Sequence, residues 1–180
     1  MSFINLFDIV KPPLSPLNQR EWSTVESRSG ITFPVEFKKI VDSFGLGEWG
    51  EWVILFGPGF FPPVYDIEIA PFEILDGERE FIKDLTSAEL RIEFPYSLWP
   101  EKGGLFPFGV TVQSDRLYWK TDSDPDKWPI VLQASRDTMT EIYHMSTPEF
   151  LSRLISGELS STILPPAHFL KSSRKFRSFS

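Results

Sequence analysis

The chain is 180 residues long, with 41% hydrophobic and 24% charged residues and a net charge of −7, a balance that excludes a disordered polymer too poor in apolar side chains to build a core. It contains no cysteine, which excludes disulfides and thiolate metal sites. No apolar run reaches the roughly 18 residues of a membrane span, and the opening MSFINLFDIVKPPLSP lacks the basic start and cleavage site of a signal peptide, so a cytoplasmic, single-domain protein is expected.

Taken in chain order, KPPLSPLN (residues 11–18) is a proline-rich lead-in that cannot be helical. Asn18 reads as an N-cap with Glu21 in the capping-box position, and a helix carrying Trp22 and Val25 on one face stops at Gly30. In ITFPVEFKKIVDSFG, Pro34 suits a first helical turn, Phe37, Ile40, Val41 and Phe44 fall on one helical face, and Gly45 supplies the stop. EWVILFG and PVYDIEIAPF both read as strands, separated by the loop GPGFFPP. DGEREFIKDLTSAELR reads as a third helix, with Asp76 as its cap and Phe81, Ile82 and Leu85 facing inward.

From Leu105 the pattern turns to strands. Phe106, Phe108, Val110 and Val112 alternate onto one face. After the polar break Gln113-Ser114-Asp115, Leu117 and Trp119 share another, which describes a hairpin. Ile130 and Leu132 mark a third strand and TMTEIYHM a fourth. In STPEFLSRLISGE, Ser146 and Glu149 fit a capping box, Phe150, Leu151, Leu154 and Ile155 are apolar, and Gly157 ends the helix. No βαβ alternation occurs, so the fold class expected is α+β, a largely antiparallel sheet flanked by helices in a single domain. The boundaries expected are a lead-in over 1–17, the domain over 18–164 and a basic, flexible tail over 165–180. That tail shows no helical or strand period, so its removal is expected to leave the melting temperature unchanged.

No catalytic constellation can be assembled. The only histidines, His144 and His168, are not near a nucleophile elbow, which the chain lacks. Asp122, Asp124 and Asp126 match the first ligands of an EF-hand loop, but Lys127 and Gln133 occupy its glycine and glutamate positions. GPG and GLGEWG lack the spacing and the lysine of phosphate loops, and acid pairs such as Glu48/Glu51 read as surface charge. The chain is expected to hold no metal and no cofactor. Charge says more about partners. Lys171, Arg174, Lys175 and Arg177 give residues 169–180 a local +4, which leaves −11 on residues 1–168 out of the net −7. Such a body disfavours nucleic acid and anionic lipid and favours basic proteins.

Taken together, Trp22 and Glu26, Pro34 with Phe37, Gly45 and Gly47, Pro107-Phe108-Gly109, Asp115, Trp119, Trp128-Pro129-Ile130-Val131 and Phe150-Leu151 resemble the SUKH superfamily over about residues 18–157. Ser114 stands where family members often carry glycine before the aspartate. These residues also have structural roles legible without the resemblance: Gly109 avoids a clash, Asp115 satisfies turn amides, and Trp119 and Trp128 fill the core. The resemblance implies a non-enzymatic immunity protein that neutralises a cognate bacterial toxin by occlusion, with an intracellular scaffold or regulatory module of the same fold as the alternative. A basic toxin such as a nuclease would suit the acidic body. The acids placed in loops, Glu48 and Glu51 with the interleaved Trp49 and Trp52, and Asp122, Asp124 and Asp126, are then the expected partner-binding residues.

Overall fold

The computed structural model describes residues 5–13, 20–86, 88–89, 94–165 and 175–179. In chain order these form α1 (Leu6–Ile9), α2 (Trp22–Ser29), α3 (Val35–Phe44), β1 (Gly47–Trp49), β2 (Val53–Leu55), α4 (Ala70–Lys83), β3 (Leu105–Thr111), β4 (Arg116–Lys120), β5 (Ile130–Gln133), β6 (Thr140–Tyr143), α5 (Thr147–Ser156) and β7 (Phe176–Ser178). Single 3-10 turns occupy Pro63–Tyr65 and Pro125–Lys127. The seven strands make one sheet in the order β6-β5-β4-β3-β2-β1-β7, antiparallel at every pairing. The α+β class read from the pattern of elements is the one observed.

Apolar spacing explains the two helices that build the core. The α3 residues Phe37, Ile40, Val41 and Phe44 are all buried, as are Phe150, Leu151, Leu154 and Ile155 of α5. Both helices lie on the sheet face that carries Trp119. Its ring stacks on Phe108 at 4.2 Å and meets Phe37 edge-on at 4.7 Å, and its indole N–H donates to Thr147 Oγ1. Trp22 of α2 packs edge-on against Phe33 and Phe37, while Glu26 accepts from the Phe33 amide and from Lys38 Nζ, tying α2 to the start of α3. Trp128 is buried beside Trp119, and Gly109 lies where an added Cβ would come within 2.7 Å of the Ile54 carbonyl. On the opposite face α4 covers Tyr118, whose hydroxyl reaches Glu78.

Several expectations need correction. PVYDIEIAPF is not a strand. It forms a 3-10 turn and then the first turn of α4, because Asp66 accepts from the Glu68 amide and Pro71 stands in the helix's opening turn, where its missing N–H costs nothing. With α4 starting at Ala70, Asp76 is a mid-helix residue rather than a cap. The buried stripe becomes Pro71, Leu75 and Glu78, and Phe81 is 47% exposed. The hairpin alternation also breaks. The β3–β4 register shifts between Pro107 and Gly109, and this bulge at Phe108 keeps Phe106 and Phe108 in the core but turns Val110 to the other face and leaves Val112 exposed.

The capping box expected at Ser146 and Glu149 does not form. Glu21 precedes the first residue of α2 without a side-chain cap, Asn18 lies outside the described residues, and Ser146 makes no cap bond while Glu149 pairs with Arg153. At the hairpin turn Ser114 has φ +69°, the left-handed conformation that glycine adopts without strain. Asp115 accepts from the Ser135 amide beyond β5 and from the Thr111 hydroxyl, so it links two turns at the sheet's end.

Both expected boundaries are overturned as well. Within the 1–17 lead-in, Leu6 is fully buried and Phe7 packs on Phe44, so α1 belongs to the core. Within the 165–180 tail, β7 pairs with β1 through Gly47↔Ser178, Glu48↔Arg177 and Trp49↔Phe176. Phe176 packs at 4.7 Å from Trp49 and 5.1 Å from Phe44. A strand at the edge of a sheet has unpaired backbone groups, and here the tail satisfies those of β1.

Candidate partner-binding surface

The acids and aromatics expected to meet a partner have different fates. Glu48 and Trp49 do not sit in a loop: both lie in β1 and are buried. Glu48 pairs with Arg177 at 2.9 Å, and the Trp49 ring is only 1% exposed among Phe44 and Phe176. Pairing with β2 on one side and β7 on the other, with all three residues buried, makes a strand out of what reads as a glycine-rich loop. Glu51 is exposed at the β1–β2 turn with φ 60°, and Trp52 is half-buried against the core, its indole N–H without a partner among the described residues.

The second cluster surrounds a cleft. Asp122 and Asp126 are exposed and Asp124 is partly so. Their carboxylates are divided among local tasks. Asp124 is held below the ordinary carboxylate value by Lys127 at 2.7 Å and by the Asp126 amide, against the opposing pull of desolvation. Asp126 accepts from the amide of Val35, the first residue of α3, at 2.7 Å. It therefore satisfies one of the orphan donors at that helix's N-terminus, where negative charge is favoured. Asp126→Ala should lower stability by on the order of 1 kcal/mol, the worth of a helix-cap bond. Unchanged urea unfolding of the variant would show that the contact contributes nothing.

Asp122 is the member left to solution. One of its oxygens accepts from the Ser123 amide, and its backbone carbonyl accepts from the Trp128 indole, which holds this segment on the core. It borders a cleft of about 580 Å³ at the end of the sheet where β4 runs out. The facing wall is Trp99, Glu101 and Lys102, and Thr32 and Ser123 complete it. Trp99 is half-buried against Phe72 and Phe106, and neither Glu101 nor Asp122 has an ion-pair partner among the described residues. Two carboxylates beside an indole suit a lysine or arginine side chain, through charge and through the face of the ring. The wall at 99–102 has no reading in the sequence analysis, although the turn-rich WPEKGG is the kind of segment that would mark it.

Two further carboxylates, Glu78 and Glu141, are tied down. Glu78 is buried under α4 between Arg116, which pairs with it, and the Tyr118 hydroxyl, and burial pushes Tyr118 above its ordinary value. Burial alone would raise Glu141, but hydroxyl donors from Ser161 and Tyr143 and the Thr162 amide outweigh it and hold the carboxyl below its ordinary 4.5. A carboxyl lowered on folding stabilises the native state above its unfolded value, and that contribution is lost as pH falls through the folded value. Stability should therefore drop on acidification below about pH 5, and Glu141→Gln should flatten that slope measured by urea unfolding. An equally steep acid limb in the variant would place the sensitivity elsewhere.

His144 is exposed, while His168, Lys171 and Arg174 lie outside the described residues. Among the described residues no three His, Asp or Glu side chains are placed to hold a metal ion, and no helix is long and apolar enough to cross a membrane. No family model, curated protein or solved structure matches the chain.

Proposed function

We propose that this chain is a SUKH-type immunity protein, without enzymatic activity of its own, that acts in the cytoplasm by binding a basic bacterial toxin domain and covering its active site. The observation that carries the reading is the cleft beside Trp99, where Asp122 and Glu101 have no ion-pair partner among the described residues, on an acidic body. The field of such a body speeds encounter with a cationic partner, and a lysine or arginine seated against an indole gives the complex an anchor. Occlusion needs no further chemistry.

The test is co-expression with a toxin encoded beside the gene: the wild-type chain should restore growth. The double variant Asp122→Asn, Glu101→Gln should associate about tenfold more slowly at low salt and show a weaker dependence on ionic strength. Neither residue supports the core, so its melting temperature should match wild type. Rescue together with an unchanged association rate would move the binding face away from the cleft. Absence of rescue from any neighbouring toxin would put the scaffold reading first.

A further inference from the structure

The sheet face opposite Trp119 carries a second concavity, between α4 and strands β2 and β3, of about 650 Å³. Ile54, Phe56 and Val110 line it along the sheet, and Ala70, Glu73, Ile74 and Gly77 of α4 form one wall at helical spacing. Val64, Val112 and Phe179 are also among its lining residues and are 54%, 43% and 40% exposed, so apolar surface continues out of the groove. Arg116 also lines it but is paired with Glu78, and Glu48 is paired with Arg177. Glu73 is exposed and has no ion-pair partner among the described residues.

Gly77 is the informative residue. It stands inside a fourteen-residue helix, does not have positive φ, and no atom of the described residues lies within 4 Å of where its Cβ would be. Neither backbone geometry nor packing against the described residues requires glycine there, and glycine is among the poorest residues for a helix interior. Its effect is to leave a notch in the groove wall, one turn beyond Glu73.

We infer that this groove is a docking surface, notched at Gly77, for a segment of a protein partner that carries apolar side chains next to a lysine or arginine. The apolar lining takes the anchor, the notch admits the partner's backbone or a bulky side chain close to α4, and Glu73 complements the cation. This surface does not depend on the toxin reading or on the cleft at Trp99.

The test uses the full chain, isotope-labelled, titrated with a peptide of alternating leucine and lysine, with leucine–glutamate and serine–lysine peptides as controls. Amide resonances of Ile74, Gly77, Val110 and Val112 should shift with the leucine–lysine peptide, and both controls should bind at least about tenfold more weakly. Gly77→Ala should raise the melting temperature, which shows that glycine is not needed for folding. Gly77→Leu should fill the notch and weaken binding by about tenfold while the chain stays folded, and Glu73→Gln should weaken it severalfold and reduce its salt dependence. The inference is overturned if the groove resonances do not move, if either control peptide binds equally well, or if Gly77→Leu leaves affinity unchanged. Concentration-dependent dimerisation through the same resonances without peptide would replace it with a contact between copies of this chain.

Discussion

Trp119→Ala should destabilise the protein by about 3–5 kcal/mol, the upper range for truncating a large core residue. The ring is 1% exposed and is stacked on Phe108, edge-on to Phe37 and tilted against Trp128, so its removal leaves a cavity bordered by β3, α3 and the segment that leads into β5. The Thr147 hydroxyl at the start of α5 also loses the indole donor that crosses from β4. Urea unfolding of the variant checks the value. A midpoint close to wild type would mean that α3 and α5 close over the gap, and the aromatic stack would then not be what holds them to the sheet. Trp128→Ala should cost less, because that ring is 7% exposed and lies at the margin of the stack.

Removing residues 176–180 should be nearly as damaging, at about 2–4 kcal/mol, since half-buried Phe176 fills a site formed by Phe44 and Trp49 and β1 loses its outer hydrogen-bonding partner. The deletion also exposes Glu48 to water and takes away Arg177, so the carboxylate is re-solvated rather than stranded, and little of the loss comes from the ion pair. A second variant separates docking of the strand from the length of the chain. A Cβ on Gly47 would lie 2.4 Å from the Phe176 ring and 2.5 Å from the Arg177 carbonyl, and one of these is backbone that cannot swing away. Gly47→Ala in the full-length protein should therefore reproduce most of the effect of the deletion. A melting temperature unmoved by both changes would mean that β7 contributes nothing to stability and that the tail behaves as its composition suggests.

The contrast between these elements shows what kind of information a sequence holds. The apolar spacing of Phe37, Ile40, Val41 and Phe44, and of Phe150, Leu151, Leu154 and Ile155, depends only on the helical repeat, so α3 and α5 were legible with their inward faces. Gly30 and Gly157 ended their helices in the left-handed conformation, as a local rule requires. The Gln113-Ser114-Asp115 break announced the β3–β4 hairpin for the same reason. The α4 start was also present locally, in Pro71, but it competed with an alternation at Tyr65, Ile67 and Ile69 that looked like a strand.

The candidate sites were less legible. Asp122 reads as an exposed acid in the sequence and is exposed in the fold, but its cleft also needs Trp99 and Glu101, which only the folded chain brings to it. Asp126 looked identical in the sequence, and its bond to Val35, 91 residues away, makes it a helix cap. Glu48 and Trp49 looked like a partner's anchor until Arg177, 129 residues further along, and Phe176 covered them. Composition and short-range period by themselves determined the class of fold, two of its core helices, its central hairpin and its acidic charge. The edge pairing of β7, the bulge that redirects Val110, the phase of α4 and the division of carboxylates between structure and solvent were decided only by the tertiary structure. The reason is physical: a helix is made from hydrogen bonds between near neighbours, whereas a strand edge, a bulge or a buried acid is defined by a partner whose distance along the chain leaves no local pattern.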